Sequence, residues 1–335
     1  MEITYFNRSN KQGVSINQAF LPLIKKIGET NRVTNYYLPS EKYNFKGFIK
    51  NLLFVFKRRN KHGINHITGD CHFLVLALLG CKTVLTVHDL GFYVDHKNNM
   101  NFLKRFILYF LQIYLPIKLA DKVIAITNKT RNEINRIVPF KREILVARHH
   151  SVDQFTFLPK KIDKMHLKFL AVGTGWNKNL ETVIKAVSFI PNCTLLVVKK
   201  MSEDQKKMCD SLRVHYINRY DIPENELVET YAEADIVLFP TLYEGFGAIT
   251  VEAQRTGRPV ITTNKEPMRS VAGIKGALLL NNPKDDKELL RAIKTIIDND
   301  ELRDELVCNG YKNSLLYSLN NCAIEHLRIY KSLFN

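Results

Sequence analysis

The chain has one tryptophan and six cysteines in 335 residues. The cysteines (Cys71, Cys81, Cys193, Cys209, Cys308 and Cys322) never form a CxxC pair. This excludes a zinc knuckle and a disulfide scaffold, and it fits a reducing compartment. No apolar run is long enough to span a bilayer. The longest lies between Arg105 and Lys118 and holds twelve uncharged residues, broken by Gln112 and Pro116, whereas a spanning helix needs roughly 20. That segment is expected to be a buried or interfacial helix. A signal-peptide pattern is missing at the N-terminus, so the expected location is cytoplasmic. Low-complexity tracts and internal repeats are also missing, and with 45% hydrophobic residues the chain reads as folded. Its length favours two domains over one core.

Acidic residues are scarce in only one half. Residues 1–150 carry 24 Lys and Arg against 9 Asp and Glu, while residues 151–335 carry 25 against 24. A cation of +15 joined to a nearly neutral half implies that the first half faces something anionic: a membrane surface, a phosphorylated acceptor or nucleic acid. In "YNFKGFIKNLLFVFKRRNK", Phe45, Phe48, Ile49, Leu52, Leu53 and Phe56 recur at helical spacing, with Lys46, Lys50, Lys57, Arg58 and Arg59 among them. Such a helix lies in a headgroup layer or docks on its own core, and the sequence leaves both open. Nucleic acid is disfavoured, since neither an aromatic–basic sheet pattern nor helix-turn-helix spacing is present.

Short apolar segments alternate with amphipathic helices. "EITYF", "INHIT", "KTVLTVHD", "KVIAIT" and "REILVAR" form one series of strands. "LKFLAVG", "CTLLVVKK", "VHYI", "ADIVLFP", "RPVITT" and "GALLL" form another. Alternation of this kind predicts an α/β fold of two Rossmann-like domains with parallel sheets facing a central cleft, joined by a polar link near residues 156–164. Ligands of such sheets bind at the carboxyl ends of the strands.

One of those ends is "YEGFGAITVEAQRTGRPVI", which sets Glu244 and Glu252 eight positions apart across Gly245, Phe246 and Gly247. The glycines permit a tight turn and close approach to a ligand. A helix begins near Gly247, and its free first-turn amides form an anion site. Carboxylates on either side suit two hydroxylated groups flanking a phosphate, the layout of a nucleoside diphosphate sugar; on spacing alone, two solvent-exposed glutamates at the ends of a strand–helix connection remain the other reading.

"EGFGAITVE" resembles the E-x7-E signature of retaining glycosyltransferases of family 4, which have the GT-B fold. "VGTGWNKNLETVIKAV", "LADKVIAITNKTRNEI", "TVLTVHDLGF" and "NRSNKQGVSI" are similar to other segments of that family, so the likeness extends over most of the chain. It implies an acceptor domain over 1–158 and a nucleotide-sugar domain over 159–335, with the last helix returning to the first domain. It further implies that Glu244 contacts the sugar hydroxyls, Glu252 the ribose and Lys178 the diphosphate. Gly245 forms the turn, and the amides of Phe246, Gly247 and Ala248 hold sugar and phosphate. Gly13 would let a first-domain loop approach the distal phosphate, and His88 would position sugar or acceptor. The family pairs its lysine with a preceding arginine. Here Thr174 or Asn177 stands at that place, and Arg219 and Lys199 are the candidate substitutes.

The implied reaction is transfer with retention from a UDP- or GDP-linked sugar to a glycan or lipid-linked glycan, as in surface-polysaccharide assembly. The protein would act at the inner face of the membrane, bound to its anionic surface, without a metal or other cofactor. Two other readings are a nucleotide-sugar epimerase on the same fold and a non-catalytic basic adaptor. Other candidates carry less. His62 and His66 have metal-like spacing, but Gly63 interrupts it and a third ligand is lacking. Asp298-Asn299-Asp300 mimics a DxD yet reads as a solvated helix stop. Only one of His149 and His150 can face a site. Trp176 either walls the cleft or packs on the sheet.

Overall fold

The computed structural model describes residues 1–9, 14–41, 44–94, 101–148, 150 and 153–334. Two compact units emerge, Met1–His150 with Leu319–Asn335, and Ser151–Ser318. The first holds β1 (Glu2–Asn7), β2 (Arg32–Tyr37), β3 (Ile64–Ile67), β4 (Lys82–Val87), β5 (Lys122–Ala125) and β6 (Ile144–Val146). They form one sheet in the order β2-β1-β3-β4-β5-β6, and every pairing is parallel. The second unit holds β7 (Leu167–Val172), β8 (Cys193–Val198), β9 (Tyr216–Arg219), β10 (Ile236–Phe239), β11 (Val260–Thr263) and β12 (Leu278–Leu280), ordered β12-β11-β10-β7-β8-β9 and again all parallel.

Parallel strands cannot be joined by tight turns, so helices cross over each sheet and bury both of its faces. The helix Leu180–Val187 shows the pattern: Leu180, Val183, Ile184 and Val187 lie at i, i+3, i+4 and i+7, and all are buried. In both units the chain runs from the first strand to one edge and then returns to the other side of that strand. This creates a topological switch point, where the two connections leave in opposite directions and open a crevice at the carboxyl ends. It lies between β7 and β10 in the second unit and between β1 and β3 in the first.

The boundary falls at residue 150 rather than 158. Residues from 153 onward already pack on the second unit: Phe155 is buried with its ring centroid 5.1 Å from that of Tyr231, and Leu158 N–H donates to Thr256 O at 3.1 Å. The helix Leu319–Lys331 belongs to the first unit, so the last helix returns there as expected. Its Tyr330 hydroxyl lies 3.0 Å from the Tyr5 hydroxyl and 2.7 Å from His66 Nδ1, and His66 Nε2 lies 2.8 Å from Thr86 Oγ1. His66 is thus a core residue. Burial holds its ring neutral by pushing its pKa well below the ordinary value.

The helix Phe45–Arg58 docks on its own core by one face only. Phe48 and Leu52 pack on the core beside the buried Val55, while Phe45, Ile49, Leu53 and Phe56 are exposed. The run from Phe102 divides in the same way. Ile113, Pro116 and Ile117 are buried, whereas Phe102, Leu103, Phe106 and Ile107 face solvent. Among the described residues, no helix is long and apolar enough to cross a membrane.

Candidate functional site

At the switch point of the second unit, two loops come together. The first follows β7 through Gly173, Thr174 and the turn Trp176–Lys178 to Asn179. The second follows β10 from Pro240 to Gly247 and enters the helix Ala248–Thr256. Buried Asn179 fixes the first to the second, its Nδ2 donating to Pro240 O at 3.0 Å and Pro283 O at 2.6 Å. Leu242 N–H donates to Asn177 O at 2.8 Å, and Asn177 Nδ2 donates to Tyr243 O at 3.0 Å.

Lys178 and Glu244 meet in this frame, with Nζ and Oε1 2.5 Å apart. The same carboxylate oxygen lies 3.0 Å from Thr241 Oγ1 and 3.2 Å from Asn177 Nδ2. Lys178 also stands 5.1 Å from the centre of the Phe239 ring. Its stem crosses Gly173 (φ +94°), where a Cβ would come within 2.8 Å of Lys178 Cγ. A larger residue there would displace the lysine.

Gly247 (φ +90°) caps the helix Ala248–Thr256 in the left-handed region, and a Cβ there would lie 2.0 Å from Met268 Cε. The chain therefore turns sharply and directs the first amides, those of Ala248 and Ile249, toward the loop ends, while Thr250 N–H donates back to Gly247 O at 3.0 Å. Gly245 and the buried Phe246 lead into this turn, and the Phe246 ring packs 5.4 Å from that of Tyr317. Glu252 stands beyond the first turn. Tyr231 donates to its Oε2 at 2.6 Å. Burial pushes this carboxyl up to about 7, against the downward pull of the tyrosine hydrogen bond and of Lys178.

The remaining predicted residues are placed as follows. Thr174 Oγ1 donates to Lys200 O at 2.8 Å, so its hydroxyl is occupied within the loop. Arg219 donates to Thr230 Oγ1 at 2.8 Å and pairs with Glu233 at 2.7 Å. Lys199 follows β8 with φ +89°. Trp176 is 61% exposed and so does not pack on the sheet. His88 belongs to the first unit, buried at the end of β4. Its Nε2–H donates to Thr68 O at 2.7 Å, its ring lies edge-on to Phe20, and burial lowers its pKa. Gly13 and His149 lie outside the described residues. Asn299 caps the helix Asp300–Ser314 by accepting from Leu302 N–H at 2.9 Å, which explains the mimic of a metal motif. Groups of three or more metal-ligating side chains are absent among the described residues.

Sequence reasoning missed Asn179, Thr241 and Tyr231. Asn179 carries the one available signal, an Asn directly before an apolar helical run, and it takes the left-handed conformation (φ 59°) that Asn tolerates. Tyr231 acts across elements, from the helix Glu224–Glu233 to the helix Ala248–Thr256, and local spacing does not reveal such a pairing.

Residues 154–313 match the family described as glycosyl transferases group 1. The chain is 27% identical over 245 residues to the O-antigen chain mannosyltransferase RfbU of Salmonella typhimurium, a match that covers 70% of this chain and 66% of that protein. It is 23% identical to the N,N'-diacetylbacillosaminyl-diphospho-undecaprenol alpha-1,3-N-acetylgalactosaminyltransferase of Campylobacter jejuni, covering 95% and 96%. Among solved structures, Anabaena HepE in complex with UDP and glucose aligns with a TM-score of 0.78 at 14% identity, covering 99% of this chain and 100% of that one. This last likeness shows the fold, two Rossmann-like units of the GT-B class.

Proposed function

We propose, from the match of residues 154–313 to glycosyl transferases group 1, that the chain moves a sugar from a nucleoside diphosphate donor to a membrane-borne glycan precursor, with retention at the anomeric carbon. The observation that carries this reading is the convergence at one switch point of the Lys178–Glu244 pair, the helix start after Gly247 and the raised carboxyl of Glu252.

Each part has a chemical task. The ribose hydroxyls donate to Glu252, and the diphosphate takes the first amides of the helix together with Lys178. Lys178 exchanges its present carboxylate partner for phosphate, which frees Glu244 to accept from the sugar hydroxyls. In transfer, the bond from the anomeric carbon to the diphosphate oxygen breaks, and a bond to the acceptor oxygen forms on the same face. The acceptor's proton passes to the departing phosphate. Fixed amides and an ammonium group at the leaving oxygen stabilise charge that grows only in the transition state. His88 is retained as a positioning residue in this proposal, since its Nε2–H is already engaged by Thr68.

The relatives acting on O-antigen and diphospho-undecaprenol substrates support a surface-glycan precursor as acceptor, and HepE, solved with UDP and glucose, supports a uridine diphosphate sugar as donor, with a guanosine diphosphate sugar as the alternative. The cationic first unit, with exposed Phe45, Leu53, Phe56, Phe102 and Phe106, supports seating on an anionic membrane surface. The test is to screen UDP- and GDP-sugars for turnover with the wild type, Lys178→Ala and Glu244→Ala. Turnover that falls at least 100-fold in both variants, with the fold intact by circular dichroism, supports the reading. Unchanged turnover, or an epimerised donor formed without any acceptor, would contradict it.

A further inference from the structure

The first unit has its own switch point, between β1 and β3, and a cavity opens there. Arg8 and Ser9 follow β1, Leu38 and Ser40 follow β2, and Cys71 and Phe73 follow the end of β3. All six line the space. The outer walls are helical: Phe45 and Phe48 on one side, Ile107, Leu108 and Leu111 on the other. The volume is about 390 Å³. Packing voids in a core seldom exceed one water molecule, so this is not a packing defect. It falls within the size range of small-molecule sites.

Three features define what fits. First, the walls are chiefly apolar, so the occupant is hydrocarbon over most of its length. Second, the mouth is continuous with both exposed faces of the first unit. Phe45 is 79% exposed and Ile107 47%, and each belongs to the cavity and to an outer apolar row. A chain leaving the cavity therefore stays on apolar surface, and the helices bearing that surface also carry Lys46, Lys50, Lys104 and Arg105. Third, polar groups stand at the cavity's edge: Arg8 and Ser40 after strands, Glu41 and Asn44 beyond them, and Gln112 on a helix. Arg8 is held by Asp70 at 3.0 and 3.1 Å, and Gln112, in the π-helical turn Phe110–Tyr114, has a buried Oε1 with no donor among the described residues. Such turns within helices are frequent at functional sites.

We propose that this cavity binds the apolar chain of a phosphate-bearing lipid, holding the first stretch of hydrocarbon next to the head group. The inference rests on the membrane-borne acceptor proposed above and goes further by giving that acceptor's chain a seat. About a dozen carbon atoms fill the space, at roughly the volume of a water molecule (~30 Å³) each. The occupant is thus the proximal part of a longer chain, and the remainder continues over Phe45 and Ile107 into the bilayer.

The test is direct binding, which does not depend on sugar transfer. Farnesyl phosphate, dodecyl phosphate and inorganic phosphate are titrated into the full chain by calorimetry, below micelle-forming concentrations. The expected result is binding of farnesyl phosphate, at least tenfold weaker binding of inorganic phosphate, and at least tenfold loss of farnesyl phosphate affinity in Leu111→Trp, which fills the cavity. Dodecyl phosphate bound as tightly as the isoprenoid would assign the recognition to any hydrocarbon chain, and weaker binding would assign it to an isoprenoid. A diazirine-bearing prenyl phosphate gives a second measurement on the wild type, so a misfolded variant does not leave the question open. Labelling should fall on peptides covering 38–48 or 107–112. Equal affinity for inorganic phosphate, unchanged affinity in a folded Leu111→Trp, or labelling elsewhere would overturn the proposal. Failure of the transfer reading alone would appear as chain binding without turnover on any donor.

Discussion

The carboxyl of Glu252 makes donor affinity depend on pH in a calculable way. Its pKa in the empty protein is raised from 4.5 to about 7 because burial disfavours the charge. Ribose hydroxyls donate to the ionised form, so binding must first remove the proton. With a pKa of about 7, roughly one molecule in ten is ionised at pH 6 and nine in ten at pH 8. The apparent Kd of a sugar nucleotide should therefore fall about tenfold from pH 6 to pH 8, or ~1.4 kcal/mol. A sugar nucleotide is the right probe because its diphosphate has no terminal oxygen that titrates in this interval. Calorimetry in buffers of different ionisation enthalpy should also detect a proton released on binding near pH 6. Tyr231→Phe removes the hydrogen bond that lowers this pKa, so the midpoint should move upward. Glu252→Gln should abolish the pH slope. For stability the sign is opposite. A pKa raised by folding contributes stability below about pH 4.5 that is lost as pH rises through about 7, up to ~3 kcal/mol in the unliganded protein. A wild-type Kd equal at pH 6 and pH 8, or a slope that persists in Glu252→Gln, would refute the reasoning.

Other expectations follow from the same geometry. Gly247→Ala forces a left-handed alanine against Met268, and it should cost about 1–2 kcal/mol together with a measurable loss of donor affinity, read by thermal melting and titration. Tyr330→Phe removes the shared partner of Tyr5 and His66 in the core, and the urea midpoint should report a loss of about 1–3 kcal/mol while donor affinity is unchanged. Leu53→Glu with Phe56→Glu should leave stability within about 0.5 kcal/mol, since both are surface positions. The same pair should weaken flotation with anionic liposomes at least tenfold, each side chain supplying about 1.5–3 kcal/mol when buried in lipid.

Much of the fold was legible because parallel strands buried on both faces read as short apolar runs, and eleven of the twelve strands among the described residues coincide with such runs. The exception is β2, "RVTNYY", an edge strand with one sheet neighbour whose polar alternation hides it. The domain boundary was misplaced because the polar segment after residue 153 looks like a linker, although Phe155 buries itself in the second unit. The amphipathic helix was legible as a helix but not in its packing, since its apolar residues cover two faces and the sequence alone could not apportion them.

The site was legible where chemistry is local. Glycines, a helix start and two glutamates within nine residues signal a ligand loop. What stayed hidden depends on residues far apart in the chain. The Lys178–Glu244 pair spans 66 positions, and the raised pKa of Glu252 arises from burial assembled by several elements. Neither has a signature in the sequence.

The most direct measurement is a crystal structure of the full chain with an intact sugar nucleotide. In it, Lys178 Nζ should be withdrawn from Glu244 onto the diphosphate, which lies at the amides after Gly247, with ribose hydroxyls on Glu252 and sugar hydroxyls on Glu244. A nucleotide bound elsewhere, with the 2.5 Å Lys178–Glu244 contact intact, would contradict it.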